Sequence, residues 1–211
     1  DLIPMADTTP DWLASALGNG DAKHGKLVAA RLGSQGLPGK GGFALTSAAF
    51  ANGEELDPCF TADEEDAVAP PLEWTSPPPG TQEVVLVVED PDAPGDEPFC
   101  HWLVWGLPGQ KGKILEGEAP PRVGKNSFGN SEWLLPDPPT GADPHDYVFQ
   151  LFALDLPLVL MPGASRKESA AASAKLASAK FGEGGADGRR GTKFGMKIEG
   201  ADEGDDALQS L

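Results

Sequence analysis

The sequence predicts a mostly β protein, an antiparallel β-sandwich with a few peripheral helices. Three observations carry that prediction. Val84–Val88 is an uninterrupted aliphatic, largely β-branched run, as expected of a strand buried on both faces. His101–Trp105 alternates, which puts His101, Leu103 and Trp105 on one face and Trp102 and Val104 on the other. The 27 glycines and 21 prolines among 211 residues divide the chain into short extended pieces joined by turns.

Taken in order, the chain first offers a short helix over Thr9–Leu17. Thr9 is a suitable N-cap, Pro10 fits the first helical position and Gly18 stops the helix. Its Trp12, Leu13, Ala16 and Leu17 share a face, which is expected to pack on the body or on a second copy of the chain as a homodimer. Gly33–Gly42 reads as a linker. It fails as a phosphate loop because Ser34 and Gly41 stand where Gly and Ser or Thr are required.

The expected organisation is therefore an N-terminal helix and glycine-rich linker over 1–41, one domain over 42–181, and a glycine-rich acidic tail over 182–211. Within the domain, the acidic run Asp63–Asp66 reads as a solvated loop and Pro77–Gly80 as a turn. Tyr147–Leu154 is a further strand, with Tyr147, Phe149 and Leu151 on one side. Ser165–Glu168 is a capping box opening an alanine-rich helix that reaches about Lys180.

Composition excludes several partners. With 33 acidic against 16 basic residues the formal charge is −17, which disfavours nucleic acid and an anionic membrane face. No stretch is long and apolar enough for an integral membrane segment. The opening Asp1–Asp11 stretch is acidic and lacks an apolar h-region, so a cytoplasmic location is expected. Cys59 and Cys100 form no metal-binding spacing and read as reduced thiols, with one disulfide as the alternative.

The chemistry gathers in three segments: Asp90–Pro94, His101–Trp102 and Pro144–Phe149. Asp90 and Asp92 directly follow the most buried strand. Two carboxylates do not attract a phosphate, but they accept N–H bonds from histidines and so orient the rings. His101 and His145 supply imidazoles, and Tyr147, the only tyrosine, adds a hydroxyl on the His145 side. Two histidines with a carboxylate are also a legitimate metal set, so metal-assisted hydrolysis is the alternative reading.

These residues lie in segments that resemble one family. V-A-P-P-L-E-W at Val68–Trp74, D-P-D-A-P, H-W-L-V-W, G-K-N-S-F-G at Gly124–Gly129 and P-P-T-G-A-D-P-H-D-Y-V-F-Q-L-F-A-L-D at Pro138–Asp155 occur in the order found in phosphatidylethanolamine-binding proteins. The chain looks closest to the bacterial and archaeal branch described as Raf-kinase-inhibitor-like, and the resemblance covers about Gly42 to Lys180.

The resemblance implies a β-sandwich with a shallow pocket for phosphate-like groups, phosphoethanolamine headgroups included. It implies ligand contacts from Asp90, Asp92, His101, His145 and Tyr147, and from the backbone near Gly129. It also implies a binder without cofactor or catalytic activity, acting as an inhibitor-like regulator of a kinase or protease. Asp146 stands where the family carries Arg, and the loop G-A-D-P-H is longer than the family's usual form.

Overall fold

The structure, a computed structural model, describes residues 24–28, 43–51, 53–139, 141, 143–158, 160, 163–164 and 190–196. Among them the strands are β1 (Leu45–Thr46), β2 (Leu72–Trp74), β3 (Glu83–Asp90), β4 (Phe99–Pro108), β5 (Gly112–Ile114), β6 (Tyr147–Leu154) and β7 (Arg190–Met196). They form one sheet of order β1-β2-β5 and a larger one of order β4-β3-β6-β7. Every pairing is antiparallel.

The larger sheet is covered on both faces, and the pleat decides which side chain goes where. Val84, Leu86 and Val88 of β3 point the same way as Phe149, Leu151 and Ala153 of β6. They meet Leu45, Leu72, Trp74 and Ile114 of the smaller sheet in the inter-sheet core. Val85 and Val87 point the other way and pack with Leu103, Trp105, Phe152 and Leu154, under Val28, Leu158 and Ala164. Every residue of β3 and of β6 is buried, as the continuous apolar run predicts. Burying each such Val, Leu or Phe side chain stabilises the fold by about 1.5–3 kcal/mol.

Two irregularities interrupt the β3–β4 ladder. Val84 pairs with Leu107 and Leu86 with Val104, so Trp105 and Gly106 together oppose Val85. Gly106 takes φ +68 there, and a Cβ on it would stand 2.6 Å from the Arg122 side chain.

The second bulge corrects the simple alternation read from sequence. Val88 pairs with Trp102 but Glu89 pairs with Cys100, leaving His101 as the extra residue. Cys100 therefore joins Leu103 and Trp105 in the outer cluster. His101 instead sits against Tyr147 and Trp133, on the inter-sheet side. Re-aiming one side chain is what a bulge does.

Described residues on either side of 42–181 also join the body. Leu27 and Val28 are buried, and the Val28 N–H donates to Glu89 Oε2 at 2.9 Å. Residues 190–196, within the segment read as a tail, form β7 along β6 from Tyr147 to Ala153. The acidic run 63–66 is exposed turn. The helices expected over 9–17 and up to 180, with the Trp12 face and the linker over 33–42, lie outside the described residues. Short 3-10 turns occur at His24–Lys26 and Pro58–Phe60. No helix among the described residues is long and apolar enough to cross a membrane. Cys59 and Cys100 are both free thiols.

Phe149 is fully buried between Phe50 and Trp133, with ring centroids 5.8 and 6.0 Å away. Phe149→Ala is expected to lower stability in urea unfolding by about 3–5 kcal/mol. Phe128→Ala, at a ring 69% exposed, is expected to change it by no more than about 0.5 kcal/mol.

Candidate functional site

The site forms where β3 ends and β4 and β6 begin. One step beyond the Glu89–Val148 pair, the register brings Asp90 level with Tyr147. Asp90 is 3% exposed and its carboxylate is fully engaged. Oδ1 accepts the N–H groups of Asp92 at 2.8 Å and Ala93 at 3.0 Å, the side-chain turn expected of Asp before Pro. Oδ2 lies 2.8 Å from Nδ1 of His145. Asp92 Oδ2 accepts the Asp146 N–H at 2.7 Å. The D-P-D segment thus holds the loop before β6 at two consecutive residues.

His101 is held from the other side by the loop that follows β5. Its Nδ1 lies 2.7 Å from the Leu134 carbonyl, while the Leu134 N–H donates to the His101 carbonyl at 3.0 Å. Next to it, the Cys100 N–H donates to Ser127 Oγ at 2.7 Å and the Ser127 N–H returns to the Cys100 carbonyl at 2.9 Å. β4 is the outer strand of its sheet, and these bonds satisfy backbone groups that no neighbouring strand reaches. Buried Asn126 shapes the same loop: Oδ1 accepts the N–H groups of Phe128 and Asn130, and Nδ2 donates to the Glu132 carbonyl.

A cavity of about 240 Å³ opens among these elements, lined by Asp90, Phe99, His101, His145 and Tyr147 together with Phe128, Leu134 and Asp137. Four of the residues singled out from sequence therefore meet on one wall. Asp92 does not line the cavity and acts through the Asp146 backbone. Gly129 does not line it either; its φ is +83 and its N–H donates to the Asn126 carbonyl at 2.9 Å. Its neighbour Phe128 supplies the wall instead. A larger concavity of about 560 Å³ adjoins the first, shares Phe128, Leu134, Leu135 and Asp137, and contains no histidine.

The aromatic half of the cavity is a relay of rings. Phe128 meets Phe99 at 5.2 Å, Phe99 meets His101 at 5.2 Å, and His101 meets Tyr147 edge-on at 5.2 Å. Phe99, Phe128 and Asp137 escaped the sequence reading. Phe99 was within reach of it, two residues from His101 on a strand, whereas Phe128 and Asp137 arrive on a loop without periodicity.

Burial dominates the electrostatics. It lowers the His101 pKa from the ordinary 6.5 to about 4, against the Leu134 hydrogen bond and reinforced by the charge of His145. Burial also raises Asp90, outweighing the hydrogen bond from His145. It raises the Tyr147 phenol, with the charges of Asp90, Asp137 and Asp92 adding to the effect. Among the described residues, no group of three or more His, Cys, Asp and Glu is placed to hold a metal ion. Metal-assisted hydrolysis therefore has no ligand set to build on there.

The His101 shift has a sign. Its folded pKa lies below its unfolded value, so the unfolded chain takes up the proton first. Stability contributed by neutral His101 is present above pH 6.5 and is lost as pH falls toward about 4. Asp90, shifted upward, acts in the opposite direction. In urea unfolding between about pH 7.5 and 5, a window opening above the ordinary His pKa, His101→Gln is expected to lose less stability than the parent chain.

A model of the family described as "Phosphatidylethanolamine-binding protein" matches residues 46–203. A UPF0098 protein of Aquifex aeolicus is 41% identical over 129 residues, covering 58% of this chain and 74% of the relative. A putative lipoprotein LppC of Mycobacterium tuberculosis is 38% identical over 136 residues, covering 64% and 66%. Among solved structures, a putative phosphatidylethanolamine-binding protein homolog from Chlamydia trachomatis superposes with a TM-score of 0.64 at 25% identity. That match spans 76% of this chain and 99% of the other. Escherichia coli YbcL matches with a TM-score of 0.59 at 23% identity, over 75% and 98%, a likeness of fold. With the family model spanning most of its length and the two-sheet fold shared, the chain belongs to the phosphatidylethanolamine-binding protein family.

Proposed function

We propose that this chain binds a small anionic or phosphorylated group in the cavity at the end of β3, as a binder and not as a catalyst. The observation that carries the reading is the 2.8 Å Asp90–His145 contact on the cavity wall, beside His101 and Tyr147. A carboxylate on Nδ1 fixes the orientation of an imidazole ring, and a ring that carries both protons offers an N–H donor at Nε2. Tyr147 adds a hydroxyl that donates or accepts as its partner requires. In a chain of net charge −17, such local donors are what offsets the repulsion an anion meets on approach.

Binding is favoured over catalysis by the state of the candidate nucleophiles. Burial holds the Tyr147 phenol protonated and pushes the Cys59 thiol up to about 11. Cys100 is buried in the outer cluster, away from the cavity. The family's own description names binding, which agrees with this reading.

Asp90→Asn and His145→Gln are each expected to weaken phosphate binding in calorimetry about tenfold, or ~1.4 kcal/mol. Unchanged affinity in both variants, or no heat with the parent chain, would reject the reading. Sulfate keeps a constant charge near neutrality and isolates the protein's own titration. Because protonated His101 has one donor more and burial brings its pKa to about 4, sulfate affinity is expected to fall as pH rises from about 4 to about 6.

A further inference from the structure

The larger concavity, of about 560 Å³, takes no part in the proposed anion binding. Three loops build it, from residues within 62–69, 117–123 and 128–137, with the buried Trp102 of β4 behind them. Hydrogen bonds fasten these loops. The Ala62 N–H donates to the Pro136 carbonyl and the Gly117 N–H to the Ala69 carbonyl, both at 2.9 Å. Trp133 Nε1 donates to the Phe60 carbonyl at 3.3 Å. The walls are therefore already in place, and a ligand need not order them.

The lining is apolar within and acidic around. Val123, Trp133, Leu134 and Leu135 are half-buried, whereas Val68 is 36% and Phe128 69% exposed. A third exposed apolar residue, Leu115, opens the turn that supplies Gly117 and Glu118, its carbonyl accepting the Glu118 N–H at 3.0 Å. Single exposed apolar side chains need no explanation, but a group gathered about a concavity marks a binding surface.

The charged residues of the lining are Glu118, Glu132 and Asp137, and no lysine, arginine or histidine is among the described residues that form it. The exposed acidic run Asp63–Asp66 lies between the lining residues Ala62 and Ala67. Glu116 and Glu64, one from each side, both act on the Cys59 thiol, in addition to its burial and to Asp57. The two acidic segments thus converge. Such a field repels an acidic peptide or an anionic lipid and concentrates cations.

We propose that this concavity docks a basic segment of a partner protein, one or two bulky apolar side chains set among lysines or arginines. The apolar side chains fill the space against Trp133 and Leu135, and the cationic flanks meet Glu118, Glu132 and the 63–66 run. A buried apolar anchor supplies affinity, while complementary charge at the rim speeds encounter and excludes acidic competitors. The surface is distinct from the cavity at the end of β3 and does not depend on anion binding there.

Fluorescence anisotropy with labelled, end-blocked hexapeptides tests the assignment. A probe with a Leu-Phe pair between two Lys pairs is expected to bind at least about tenfold more tightly than two controls. One control keeps the Leu-Phe pair between Glu pairs, and the other keeps the lysines around a Gly-Ser pair. Equal binding of either control, or no binding of the first probe, would overturn the proposal. Vesicles of phosphatidylcholine and phosphatidylglycerol that displace the first probe would assign the surface to a membrane instead, which also overturns it.

Affinity for the first probe is expected to fall about fivefold in Val68→Ser, and about fivefold when Glu118→Gln and Glu132→Gln are combined. All three side chains are exposed, and the glutamine amide oxygen keeps an acceptor for the Leu115 N–H that Glu118 now binds. Retained affinity in both variants would overturn the location. In the unsubstituted chain, amide resonances of residues 62–69 and 117–120 are expected to shift on adding the first probe. Shifts confined to His101, His145 and Tyr147 would place the peptide in the other cavity and contradict the proposal.

Discussion

The structure depends on three carboxylates at the two ends of one buried strand. β3 is flanked by β4 and β6 and covered on both faces, yet it begins with Glu83 and ends with Glu89 and Asp90. A carboxylate buried this deeply is costly unless it is hydrogen-bonded. Each of the three is. Glu83 accepts the N–H groups of Gly106 and Leu158, Glu89 those of Val28 and the Gln150 amide, and Asp90 those of Asp92 and Ala93 with the His145 ring. The central strand therefore gathers the segments around it by satisfying their unpaired backbone donors. The cavity is the one end of this arrangement where a carboxylate partner is an imidazole and not only main chain.

The bulge at His101 follows from the same geometry. Without it, the pleat would send His101 to the outer cluster beside Leu103, remote from Asp90. The extra residue turns the ring inward, and the loop from Ser127 to Leu134 covers the open edge of β4 beside it. The histidine's position, its tautomer and its low proton affinity are thus set by a single local defect together with the loop that seals it.

This explains how much was legible in the sequence. Val84–Val88 and Tyr147–Leu154 announced themselves because apolar periodicity reports burial directly, and Asp90, His101, His145 and Tyr147 stood out as polar groups beside such strands. The face of His101 was misread, since alternation assumes a regular ladder and a bulge leaves no mark in residue types. β7 escaped notice because its glycines and basic residues resemble a loop; what makes it a strand is the exposed edge of β6, a partner more than 35 residues away. Phe128 is placed by its N–H bond to Asn126, and Asp137 lies on an irregular loop without periodicity.

Asp92 grips the chain at position 146 through its main-chain N–H, a group that does not depend on the side chain. The attachment is consequently indifferent to substitution: every residue except proline brings the same donor. The residue at 146 is itself only 6% exposed, so a replacement keeps the main-chain donor but has to fit a buried position between His145 and Tyr147. Main chain and side chain at position 146 thus carry separate duties, the first fastening the loop to Asp92 and the second meeting the packing around it.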